Sequence, residues 1–307
     1  MSADRRTSTT KRTARRLTEG VVERVIQVAG FLAIIFVALI LVFLLRESLP
    51  ILAHVPLREL LAGHRWAATS DPPKFGMLPL ILGSLYVTVG AMVLAVPLGL
   101  ACSVFISEVA SPRMREVLKP VVELLAAIAS VVFGFLGLLL LGPWLAKVFN
   151  LPIGQFGALG ALLLAFMAIP TIVSVCEDAL SAVPHAYREN SLALGATRWQ
   201  TMARVTIPAA RSGLFAAVLL GLGRAIGETM TVLMATGNAP VIPEGLAGFL
   251  HPMRTMTATI AVEMGETVYG SDHYHALFLI GLLLFLATLL VSIISEAVIR
   301  RMPGVRA

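Results

Sequence analysis

Six stretches of this chain are each long and apolar enough to cross the hydrocarbon core of a bilayer as a helix, which takes about 20 such residues. They run 25–45, 80–106, 121–141, 153–175, 214–235 and 276–299. Of 307 residues, 57% are hydrophobic and 14% charged, which argues against a soluble enzyme and excludes a disordered chain. A bilayer offers no water to unpaired backbone groups. The expected fold class is therefore all-α, a polytopic transmembrane bundle of about six spanning helices. The first run follows a basic stretch, yet it is too long for a signal-peptide core and no small-residue cleavage site follows it, so a retained anchor is expected.

Basic residues orient the spans. Seventeen of the 23 Lys and Arg outside the apolar runs lie on one side: in the first 24 residues, around Arg113, Arg115 and Lys119, at Arg188, Arg198, Arg204 and Arg211, and at Arg300, Arg301 and Arg306. The bias places both termini in the cytoplasm. The expected organisation is a basic cytoplasmic tail at 1–24, a first membrane anchor at 25–45, an extracytoplasmic segment at 46–79 and a core at 80–301. The tail's clustered cations suit anionic membrane lipids and not nucleic acid. In the second outer segment, Met256, Ile260 and Met264 recur every four residues, which predicts a short helix lying on the outer surface.

Cys102 and Cys176 fall in or at apolar runs, so neither a disulfide framework nor a zinc site is indicated. His273 and His275 lack a third ligand, and Glu177 with Asp178 is expected as helix-end charge where the fourth span meets the cytoplasm. No metal and no cofactor is expected. No G-x-x-x-x-G-K-[ST] occurs, so this chain should not bind ATP through a P-loop.

The cytoplasmic connection 177–211 is too polar to cross the bilayer, yet it is patterned. VPHAYRENSLALG predicts a helix ended by Gly195, and ATRWQTMARVTIP a second helix capped by Thr197 and ended before Pro208. Trp199, Met202 and Val205 recur every three residues and are expected along one side of it. Such a knob fits two uses, a membrane-surface hairpin or an amphipathic element docked in a cytoplasmic partner.

Arg224 and Glu228 lie near the middle of the fifth run, where a central charge costs about 2.5–3.5 kcal/mol on insertion scales. Four residues apart, they are expected on one helix face. Two roles fit: a self-neutralising structural pair, or a translocation path in which the arginine fork meets an oxyanion.

Glu189, then Gly195, Val205, Ile207 and Pro208, resembles the EAA loop of ABC-importer permeases, with Asn190 and Ser191 where the general pattern has two alanines. PTIVSVCEDALSAVPHAYRENSLALGATRWQT and GLGRAIGETMTVLMATGNAP resemble the phosphate-specific branch, on the side of its PstC-type subunit, although Ala129 stands where that branch usually has proline. The resemblance implies the ABC importer type I permease fold and a non-enzymatic subunit in the bacterial inner membrane. It implies that Glu189, Gly195, Trp199 and Pro208 couple to an ATP-binding ABC ATPase subunit, and it favours Arg224 and Glu228 on the substrate path. The implied partners are that ATPase, a second, PstA-like permease and a periplasmic phosphate-binding protein. A permease for another oxyanion, a secondary transporter or channel using Arg224 and Glu228, and a membrane-embedded enzyme are the other readings of the residues.

Overall fold

The computed structural model describes residues 4–301, with side chains from Val22 onward; Arg5 to Arg16 and Arg306, used above for topology, lie outside the described side chains. Helix α1 (Asp4–Ser48) carries the first apolar run and is exposed on all sides from Val22 to Ile40. It meets the bundle near its C-terminal end, where Leu41 and Leu44 pack beside Leu277, Ile280 and Leu283. Two short helices, α2 (Ile51–His54) and α3 (Leu57–Ala62), then lead to a hairpin of β1 (Trp66–Ala67) and β2 (Lys74–Phe75). Trp66 pairs with Phe75, and both rings are buried against Ile51, Leu60 and Met77.

The second crossing is α4 (Leu78–Val104), continued by a π-helical turn over Phe105–Val109. The third departs from expectation. Residues 121–127 do not cross; they are the last turns of α5 (Pro112–Ala127), whose Arg115, Glu116, Lys119 and Glu123 give it a polar face. The backbone turns extended at Ile128 and Ala129, and the apolar path resumes as α6 (Ser130–Leu136), a π-helical turn over Gly137–Leu141, and α7 (Gly142–Phe149). A hydropathy window merges the two because nothing but that extended pair separates them.

Helix α8 (Gly157–Ser181) forms the centre of the bundle. Its Ala161, Leu164, Ala165, Ala168 and Ile172 pack with Val87, Ala91 and Ala95 of α4 and with Ala217 and Ala225 of the later helix α12. Small residues let these helices approach without a hydrophobic drive in lipid. A Cβ at Gly99 or Gly221 would lie 2.8 or 2.6 Å from the Ile172 side chain, so that isoleucine fills the space both glycines leave.

After α8 follow α9 (His185–Ala193), α10 (Arg198–Thr201), a π-helical turn over Met202–Thr206 and α11 (Ile207–Ala209). The rod 198–209 meets α12 (Arg211–Gly227) at 68°. The fifth run is not one helix, since α12 ends at Gly227 and α13 (Met230–Ala235) starts after a break at Glu228 and Thr229. Among the described residues five helical units are long and apolar enough to span, six when the bent unit is included.

Helix α14 (Met256–Glu263) does not lie on the outer surface. Met256, Ala258 and Thr259 are buried, the Met256 amide donates to Ser84 Oγ at 2.9 Å, and a Cβ at Gly83 would strike the Arg254 carbonyl. The glycine on α4 and the small residues of α14 draw this segment into the bundle. The final crossing is α15 (Asp272–Arg301), where Phe278 stacks edge-on against Phe43 of α1 at 5.4 Å.

Candidate functional site

Four polar assemblies stand out: the knob, the ion pairs at its base, the break in the fifth run and a cluster around Glu263. In the knob, Gly195 has φ +85, a left-handed conformation that favours glycine, and it turns α9 into α10. Thr197 caps α10 as expected: its Oγ1 accepts from the Gln200 amide at 3.2 Å, while Gln200 Oε1 accepts from the Thr197 amide at 2.9 Å. Ser191 and Thr201 hydroxyls meet at 2.9 Å and fasten the two helices together.

Two expectations for the knob need correction. The second helix does not end before Pro208; it runs on to Ala209 through the π-helical turn. There the Ile207 amide reaches back to the Met202 carbonyl, a widened turn that accommodates the missing amide of Pro208 and its clash with the carbonyl four residues earlier. Nor do Trp199 and Met202 share a side, because Trp199 is 71% exposed and Met202 is buried. Glu189, Gly195 and Trp199 are exposed on the knob with Leu192 and Leu194. Pro208 sits at its base, between Ile207 and Ala209, which pack on Leu180, Val183 and Ala210.

Glu177 lies in the closing turns of α8, as expected, but it is not in solvent. It is 4% exposed within the last turns of α8, where Arg115 and Lys119 of α5 both hold it, the latter at 2.8 Å. Hydrogen bonding to Glu177 raises Lys119 above the ordinary lysine range. A second ion pair, Arg188 with Glu108 at 2.8 Å, links α9 to the end of the second crossing. Both acids sit at the ends of apolar runs, a placement visible in the sequence, but their partners lie in other connections.

At the break, Arg224 and Glu228 are not a pair. Glu228 has an extended backbone, ψ 132, and its Oε1 accepts from the Thr229 and Thr231 amides at 3.2 and 3.4 Å. A carboxylate at the exposed amides of a helix start is favoured over one left in a helix interior. Arg224, in the last turn of α12, instead donates through Nη1 to Thr171 Oγ1 of α8 at 3.0 Å. Both residues border one narrow cleft with Leu164, Met167 and Ala168. The surroundings are tied to the break as well: Thr257 of α14 donates to the Glu228 carbonyl at 2.9 Å, and Thr231 donates to the Ser130 carbonyl at the start of α6 at 2.9 Å.

Arg224 is exposed, and no carboxylate pairs with it among the described residues. A cation at this depth cannot face acyl chains cheaply, so its surface belongs against protein or a wet path. Its planar fork is suited to a tetrahedral oxyanion. Beside the β-hairpin, Glu263 gathers Arg254 at 2.5 Å, Trp66 Nε1 at 3.0 Å and His273 at 2.8 Å, while His275 contacts the Glu47 carbonyl at 2.6 Å. Neither histidine joins a cluster of three metal-ligating side chains among the described residues.

Residues 95–303 match the family described as binding-protein-dependent transport system inner membrane component. The chain is 42% identical over 242 residues to the probable ABC transporter permease protein YqgH of Bacillus subtilis, covering 78% of this chain and 77% of that protein. It is 34% identical over 263 residues to the phosphate transport system permease protein PstC of Mesorhizobium japonicum, covering 80% and 79%. Among solved structures it is similar to an inward-facing MetNI methionine ABC transporter (TM-score 0.58, 18% identity, 76% of this chain and 100% of that one). It is also similar to a bacterial alginate ABC transporter in complex with an alginate pentasaccharide-bound periplasmic protein (TM-score 0.60, 14% identity, 89% and 93%). The fold is that of ABC importer permeases.

Proposed function

Because this chain belongs to the family of binding-protein-dependent transport system inner membrane components, we propose that it is the transmembrane permease subunit of an ATP-driven inorganic phosphate importer. The phosphate assignment draws on relatives named as phosphate transport system permease proteins, including that of Haemophilus influenzae at 34% identity. The observation that carries it at residue level is Arg224, a cationic fork at mid-membrane whose neighbouring carboxylate, Glu228, is engaged by the amides of α13. An oxyanion reaching Arg224 would meet a cation that no carboxylate among the described residues neutralises.

The chain contributes the path and the knob, and the energy comes from another polypeptide. Glu189, Gly195 and Trp199 form the exposed surface offered to an ATP-binding subunit, with Pro208 shaping the rod beneath. A second, PstA-like permease completes the path, and a periplasmic phosphate-binding protein delivers substrate to the outer face. Both termini and the knob face the cytoplasm. The test is the purified four-component complex in liposomes. Phosphate-loaded binding protein should stimulate ATP hydrolysis and uptake of inorganic phosphate, and Arg224→Gln should abolish uptake. Stimulation by molybdate or sulfate with none by phosphate would move the chain to another oxyanion, and uptake without the ATPase would refute the importer.

A further inference from the structure

Helix α9 is attached to the membrane-spanning body by very few polar contacts. Among the described residues, Arg188 is the one side chain of α9 that hydrogen-bonds outside the knob. Its Nη1 donates to the Val183 carbonyl at 2.8 Å, and its Nη2 donates to the Leu180 carbonyl and to Glu108 Oε1, each at 2.8 Å. The two carbonyls belong to the end of α8 and the turn after it, where the last acceptors of a helix have no partner within it. Glu108 belongs to the π-helical turn that closes the second crossing. One guanidinium thus joins the first helix of the knob, the end of the fourth crossing and the end of the second.

The pair is neither a surface ornament nor a deeply buried one. Its side chains are 18% and 13% exposed, so it is only partly screened and both ends are held at fixed geometry. The apolar cluster beneath it, Leu180, Val183 and Ala210 with Val104 and Ile207, resists compression but supplies no direction along which α4 must follow α9. The fork does. π-Helical turns are locally rearranged helix and occur often at functional positions, and Glu108 sits on one.

We propose that Arg188 and Glu108 form a strut that makes the inner end of α4 move with the knob, converting displacement of the ATPase-bound surface into movement of the second crossing. Both are positioning residues, and the proposal rests on the reading of the knob as the ATPase contact. Glu108→Ala removes the tie to α4 and leaves Arg188 its two carbonyl acceptors. Glu108→Gln keeps the shape and one neutral acceptor.

The test uses the full complex in liposomes with inorganic phosphate as substrate, in a background carrying Leu194→Cys as a cross-linking reporter on the knob. The expected result for Glu108→Ala is normal assembly, intact cross-linking to the ATPase, ATP hydrolysis within about twofold of wild type, and phosphate uptake per ATP lowered about tenfold. Glu108→Gln should fall between the two. Wild-type uptake per ATP in Glu108→Ala with cross-linking intact overturns the strut alone. Loss of assembled complex in both Glu108 variants also overturns it, since the pair would then merely hold the fold. Absence of cross-linking from Leu194→Cys even with native Glu108 overturns the underlying reading of the knob.

Discussion

Arg224 and Glu228 show how little a spacing of four residues decides when the helix between them stops. Each has found a partner elsewhere: Thr171 lies 53 residues away from the arginine, and Thr257 lies 29 residues from the glutamate whose carbonyl it holds. Arg224→Lys keeps the charge but cannot present a planar fork, so phosphate uptake per assembled complex should drop about tenfold or more. Wild-type uptake in that variant would remove the fork from the mechanism. Glu228 predicts a split between two substitutions. Glu228→Gln retains an oxygen for the α13 amides and should assemble normally, whereas Glu228→Ala loses the cap and about 1 kcal/mol, seen as a lower unfolding temperature of the purified complex. The identity of both residues was legible in the sequence because charges at mid-membrane are rare. The break between them was not, since G-E-T holds no proline, and Thr171, which accepts from Arg224, and Thr257, which donates to the Glu228 carbonyl, come from distant segments.

At the scale of elements, the knob was the most legible part. Gly195 and the Thr197–Gln200 capping box are local signals, and local signals survive folding. Gly195→Ala forces an L side chain into the left-handed region at a cost of about 1–2 kcal/mol, and protease cleavage at the α9–α10 turn should quicken accordingly. Helix α5 was illegible because its apolar face completes a hydropathy window that its polar face contradicts only in three dimensions. Glu177 holds that helix. Glu177→Ala should free α5 by about 1–2 kcal/mol, the modest end for charge-assisted bonds because Arg115 and Lys119 reach solvent, and amide exchange along α5 reports it. The Lys119 contribution has a definite sign with pH. A raised value in the folded state means that its share of stability is complete below the ordinary lysine value of 10.5 and is lost as pH climbs through the folded value. Faster exchange of α5 is therefore expected at strongly alkaline pH and not at neutrality.

The whole molecule follows from the six apolar runs and the arginines between them, and its orientation is directly testable. Cysteine at Ser191 should be labelled from the cytoplasmic side and cysteine at Ser271 from the outside; the reverse pattern would invert the topology. What the runs did not convey is how unevenly they assemble. The second, third and fifth pack on α8 and the sixth, α15, packs on α12 and α14, while α1 is fastened near Phe43 and Phe278 and exposed from Val22 to Ile40. A rod clamped at one end is a cantilever. From Phe43 back to Val22 it extends about 30 Å, so a tilt of only about 10° at the clamp sweeps Val22 through about 5 Å. Its resting angle is then set by whatever lies alongside it in the membrane, and small adjustments in the seat of α15 become large displacements at the start of the apolar run.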